Sequence, residues 1–308
     1  MRQRVWFLMI TLAGIAALAL AGCGKTTQSL QSTAAPGAPA GSDQAQVSSV
    51  VESHPEYVNE DVWQTDQESA LDGTGGFAAI RPLRFWRTIR NVERTVDTQF
   101  GAPDSNGRPT LALVTIHKHL QGSFNILAGA PDPADTSRSL VHKPLADEWT
   151  RKLVLMRLPT LGDDGRGRWH MVGTSGVEVH THAGVTHIVS VHIQAEGLDT
   201  TVTDPLELHR LRHILTLAPR AAVKLTVTTG NATDVVLFYG RDMRRRFVNN
   251  GDGTFTFEFT AGWFPGLRNF GVDALSHGTL FDDAAAYDSN AWIFPFAVDP
   301  LRAPIDAL

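Results

Sequence analysis

Cysteine is almost absent from this chain of 308 residues, where Cys23 is the only one. A single thiol excludes internal disulfides and cysteine-ligated metal centres, so the folded part must be held together by its core. Tyrosine is scarce, with 3 residues, and 27 Lys and Arg are outnumbered by 32 Asp and Glu. Without Arg2 and Arg4 the balance becomes 25 against 32, a net of -7, and such a chain has no global field that attracts nucleic acid. Catalytic signatures are missing as well: there is no Gly-x-Ser-x-Gly elbow, no His-Glu-x-x-His helix and no dinucleotide-binding glycine fingerprint. Gly24-Lys25-Thr26 ends like a phosphate-binding loop, but Ala19 stands where that loop requires glycine.

Present at the start is an address. Arg2 and Arg4 precede an apolar run from Val5 to Leu20 in which Thr11 is the only hydroxyl, the layout of an export signal. At 16 residues the run is shorter than the roughly 20 needed for a permanent membrane helix. Leu20-Ala21-Gly22-Cys23 resembles the lipobox of bacterial lipoprotein precursors. That resemblance implies cleavage before Cys23, a diacylglyceryl thioether on its sulfur and usually acylation of the new amine. Two or three acyl chains give stable anchoring where one does not. Residues 1–22 are therefore read as the signal peptide, and Cys23 as the lipidated residue facing a cell membrane or, with Gly24 after it, the outer membrane. The folded part is expected in the periplasm or outside the cell.

Residues 23–54 are read as the lipidated Cys and a flexible tether, because the segment is rich in Ser, Ala, Gln, Pro and Gly and poor in aromatics. From about Arg81 to Gln99, Phe85, Ile89, Val92 and Val96 recur at helical spacing, with Arg84, Arg87, Arg90 and Arg94 on the other face. The expectation is an amphipathic helix with a solvated basic side. Thereafter the period becomes two, in Thr110–Ile126, Lys152–Leu158, Trp169–His182 and Val185–Ala195. Leu206–Leu217 reads as either strand or short helix. The expected fold class is α+β: an N-terminal helix packed on a curved antiparallel sheet over residues 55–220, similar in its order of elements to the nuclear-transport-factor-like cone fold. Residues 221–300 carry about six short strands, and Asn249-Asn250-Gly251-Asp252-Gly253 marks a hairpin. This part is similar in strand spacing to immunoglobulin-like β-sandwich modules, and residues 301–308 form a tail.

Histidine supplies the candidate chemistry. His117 and His119 share one expected strand and His180 and His182 another, with His187 and His192 following. Side chains two apart lie on one face, so His180, His182 and His187 are candidate ligands for Zn²⁺ or Cu²⁺ if a tight turn sets His180 opposite His187. The alternative is a polar sheet face lined with imidazoles. Asp163-Asp164 and Asp282-Asp283 with Asp288 offer oxygens to calcium or simply make turns. Of the late aromatics, Trp292, Phe294 and Phe296 share a face for core or ligand, and Pro295 suits an edge strand. Three functions follow as expectations. The first is a membrane-anchored envelope lipoprotein that binds or scaffolds an envelope protein or polymer without catalysis and needs no cofactor. The second is a metal-dependent hydrolase of an envelope polymer, and the third a small-ligand carrier with a cavity between helix and sheet.

Overall fold

A computed structural model describes residues 42–55, 79–130, 136–158, 167–240 and 243–299, with 32–33, 69–70, 132 and 134. The signal segment, Cys23, most of the tether, Asp163-Asp164 and the tail lie outside the described residues. Two short strands, β1 (Ser32–Thr33) and β2 (Ser69–Ala70), and helix α1 (Asp43–Glu52) precede β3 (Arg81–Phe100). The expected helix over 81–99 is thus a strand of 20 residues, and the α+β assignment gives way to a mostly β fold, 63% strand and 9% helical among the described residues.

The cause of the misreading is a bulge. In β3 the register against β4 (Leu111–Gly129) slips between Ile89 and Asn91, which inserts one residue and flips the parity of everything after it. Phe85 and Ile89 point inward before the slip, Val92 and Val96 after it. Spacings of four, three and four reproduce a helical stripe on a strand. Gly122 makes room for this: a Cβ there would lie 1.9 Å from the Thr88 carbonyl oxygen.

Long antiparallel strands β3, β4, β5 (Arg138–Leu158) and β6 (Arg168–Thr181) run side by side. The chain then leaves for a second sheet with β7 (Ile188–Ala195) and β8 (Leu198–Val202), and returns through β9 (His209–Arg210), a 3₁₀ turn at Leu211–His213 and β10 (Leu215–Leu217). Beyond these lie β11 (Ala222–Thr229), β12 (Val235–Gly240), β13 (Met243–Arg246), β14 (Val248–Asn249), β15 (Thr254–Thr260), β16 (Gly266–Leu275), α2 (His277–Phe281) and β17 (Ser289–Val298). The large sheet has the order β1-β3-β4-β5-β6-β17-β16-β12-β13, and the small one β14-β15-β11-β7-β8.

Strands from both halves of the chain therefore share each sheet. Residue 221 separates no independent immunoglobulin-like module: β12, β16 and β17 extend the sheet begun by β3–β6, while β11 pairs with β7 in the small sheet. The hairpin at 249–253 is present, joining β14 to β15 with Gly251 and Gly253 at φ 85 and 86, angles that glycine adopts without a Cβ clash.

The large sheet curls, and this creates two cores. One lies inside the curl, with Phe85, Phe124, Trp149, Leu237 and Ile293; the other lies between the sheets, with Val191, Leu225, Phe238, Phe270 and Phe294. Strands β12, β16 and β17 serve both, which explains why β17 is a continuous apolar run. At about 1.5–3 kcal/mol for each large apolar side chain buried, these cores supply the stability that absent disulfides do not. Helix α1 closes onto the curl: Ser42 caps it by accepting from Ala45 N at 3.2 Å, Val47 and Val51 are buried, and Asp43 pairs with Arg157. The end of the stretch read as tether is thus ordered. Lys143 fastens α2 by donating to the carbonyls of Gly278 and Asp282 at 2.9 and 2.6 Å; burial pulls its pKa down to about 8, against the opposing pull of Asp282 and Asp283.

Candidate functional site

The alternation that sends Lys118, Asp147, Trp149 and Val179 inward sends His117, His119, Glu148 and His180 outward. Register places His119, Glu148 and His180 in one row across β4, β5 and β6. His182 Nδ1 lies 2.5 Å from Glu148 Oε1, and His180 Nε2 lies 3.7 Å from its other oxygen. The bond from His182, aided by the charges of His180 and His119, holds the Glu148 carboxyl below its usual range.

His187 does not join them. Strands β6 and β7 enter different sheets, so no hairpin sets His180 against it. Its ring instead packs on Gly230, where an added Cβ would meet ring carbon at 2.1 Å, and its Nδ1 lies 3.1 Å from the Val185 carbonyl oxygen. Among the described residues no three His, Cys, Asp or Glu side chains are placed to hold one metal ion. Two of the candidate calcium carboxylates are engaged by backbone: Asp282 accepts from Ala284 N at 2.9 Å, and Asp288 accepts from Val185 N and Thr186 N at 3.2 Å.

Inside the curl sits a polar network that the sequence reading did not identify. Arg87 donates from Nε to the Tyr287 hydroxyl at 2.8 Å, from Nη1 to Tyr239 at 3.0 Å and from Nη2 to Asp273 Oδ1 at 3.2 Å. Nη1 also pairs with Asp273 Oδ2 at 3.0 Å. Tyr239 donates to Asp273 at 2.8 Å and Tyr287 to Asp147 at 2.9 Å, while Thr181 donates to the other Asp147 oxygen at 3.1 Å. All five of Arg87, Asp147, Tyr239, Asp273 and Tyr287 are buried. Burial pushes Asp147 up to about 6 even though Arg87, Tyr287 and Thr181 favour its ionised form, and it drives Tyr239 up to about 12. This network joins β3 to β12 and β16 across the interior, with all of its charged groups buried. The turn after α2 delivers Tyr287 to this network. A sequence signal did exist: Asp147 stands in phase with Leu145 and Trp149, and Asp273 interrupts an apolar run.

Among the described residues a concave feature lies elsewhere, at the rim between the two sheets. The segment 203–216 leaves β8, pairs briefly with β6 through β9, and joins β17 through β10, whose residues Leu215–Leu217 run beside Phe296–Val298. Beneath this strap is a cavity of about 430 Å³, partly open to solvent. Its walls are Ile193, Leu198 and Val202 from the small sheet and Phe294 with Pro295 from the large one, closed by Pro205, Ile214 and Leu215 of the strap.

Two local features open this space. On β17 the ladder to β6 ends at Ile293 and the ladder to β10 begins at Phe296. Pro295 occupies the gap on that side, where its missing N–H leaves no ladder bond unmade. The expectation of an edge strand is thus replaced by an interior strand with an interrupted flank. Gly176 on β6 lets the strap approach, since a Cβ there would lie 2.7 Å from the Ile293 oxygen and 2.9 Å from that of Pro205.

Of the aromatics, Trp292, Phe294 and Phe296 pack in the core between the sheets, while Trp263 and Phe264 are exposed. None of the described helices is long and apolar enough to cross a membrane. Compared with protein-family models, with curated proteins and with solved structures, the chain matches none.

Proposed function

We propose that this chain is a cell-envelope lipoprotein, attached to a membrane through acyl chains on Cys23, whose β body is a non-catalytic binding module. Attachment rests on Leu20-Ala21-Gly22-Cys23 behind its apolar run. The binding role is carried by one observation, the cavity of about 430 Å³ beneath the strap, within the roughly 300–1,000 Å³ of small-ligand sites. This is the carrier reading in a corrected place, between two sheets rather than between helix and sheet.

The polar clusters favour binding over catalysis. The titratable network of Arg87, Asp147 and Asp273 is buried as a structural joint, and His180 and His182 are paired to Glu148 on an outward sheet face, none of them in the lining of the cavity. The test is organic extraction of protein purified from its native envelope, followed by mass spectrometry of the extract. Wild-type protein is expected to release a small molecule in about equimolar amount, and a Thr200→Trp variant, which fills the cavity from β8, is expected to release none. Equal recovery from both refutes the assignment.

A further inference from the structure

The cavity has two chemically distinct parts, and they define its occupant. This step rests on the binding role proposed above but not on the lipid anchor. The inner walls, Ile193, Leu198, Val202, Leu215, Phe294 and Pro295, offer almost nothing to a polar ligand. The polar groups of the lining stand mainly on the strap: Asp204, His209, Arg212, His213 and Thr216, with Thr200 facing them from β8.

These polar groups are biased towards anions. Among the described residues Asp204 is the only carboxylate of the lining, and it already accepts from Leu206 N at 2.7 Å in a local turn. Among the described residues nothing pairs with the guanidinium of Arg212 or with the rings of His209 and His213. A cationic head would meet one committed carboxylate and a guanidinium of like charge, whereas an anionic head would meet solvent-exposed donors that no described protein group occupies.

We infer that the cavity takes a single-chain anionic amphiphile, its alkyl chain lying against Ile193, Val202 and Phe294 and its head at Arg212 beside His209 and His213. At about 30 Å³ for each water-sized group, 430 Å³ holds about fourteen such groups. That is room for one medium-length chain. The shared chemistry is an anionic head on a single alkyl chain, whether a free fatty acid or a single-chain phosphate ester.

Isothermal titration of the full chain tests this with dodecanoate, dodecyl phosphate, neutral dodecanol and octanoate, each below its aggregation concentration. Dodecanoate or dodecyl phosphate is expected to saturate at one per chain, and the better of the two identifies the head preferred. Each methylene added between octanoate and dodecanoate is expected to strengthen binding by about fourfold at most. Dodecanol is expected to bind about tenfold more weakly than the preferred anion. Arg212→Gln should remove that difference while leaving dodecanol unchanged, and Thr200→Trp should abolish binding of all four. Equal binding of dodecanol and the anions, or anion binding indifferent to Arg212→Gln, overturns the head-group inference and leaves the binding role standing. Absence of saturable binding by any of the four overturns both.

Discussion

Replacing Arg87 by methionine isolates the joint that holds the curled sheet closed. The substitution keeps an unbranched apolar stem but deletes three donor nitrogens, and with them the bonds to Tyr287, Tyr239 and Asp273. Asp273 is fully buried, so its carboxylate keeps one donor, the Tyr239 hydroxyl, and loses its counter-charge. Breaking a buried pair from one side destabilises by about 3–5 kcal/mol, because the surviving charge stays desolvated. That is a large part of the roughly 5–15 kcal/mol typical of a whole folded protein. Urea unfolding followed through tryptophan fluorescence reads it out, Trp149 and Trp292 both being buried. The double variant Arg87→Met with Asp273→Leu removes both charges and is expected to recover to within about 2 kcal/mol of wild type, the residual loss being Tyr239 left without its acceptor. A single variant within about 1 kcal/mol of wild type, or a double variant worse than the single, would refute the reasoning.

Four further outcomes are expected. Asp147 has its folded pKa raised to about 6, so between its unfolded value near 3.8 and 6 the folded protein holds the proton more tightly; stability then falls as pH rises through that window, by roughly 3 kcal/mol. Asp147→Asn is expected to flatten that slope in unfolding curves measured from pH 4 to 7. Gly122→Ala sets a Cβ against the Thr88 carbonyl and is expected to lower stability by about 1–3 kcal/mol, with thermal melting as the check. Gly176→Val is expected to push the strap off β6, seen as faster hydrogen exchange at residues 203–217 and weaker cavity binding. His182→Ala removes the bond that holds Glu148 down, and NMR titration of the Glu148 carboxyl is expected to move towards the ordinary glutamate range.

Strand β4 was legible because its period of two survives over its whole length, with Ala112, Val114, Ile116 and Leu120 buried in phase. The 249–253 hairpin was legible because its glycines name their own backbone angles. Strand β3 was not, since the slip after Ile89 converts a period of two into a helical stripe, and only its partner strand reveals the extra residue. Sheet membership was equally hidden. Nothing local to residues 182–188 states that β6 and β7 part company, yet that parting decides that His180 and His182 meet Glu148 and that His187 meets Gly230.

The buried network was missed for a related reason: Arg87 looked like one of four arginines on a solvated face, and only the strand's period of two, which keeps it in phase with Phe85 and Ile89, sets it inward while Arg84 and Arg90 stay exposed. The cavity had no signature either. It arises where Pro295 interrupts one flank of an interior strand and Gly176 admits the strap, two positions 119 residues apart in sequence that meet only in the fold.

The proposed attachment of this module to a membrane has its most direct test in the intact mass of the protein extracted from its native envelope. The account predicts a chain that begins at Cys23, lacks residues 1–22 and carries the added mass of a diacylglyceryl group. A chain with an unmodified thiol at Cys23, recovered in the aqueous fraction, would contradict it.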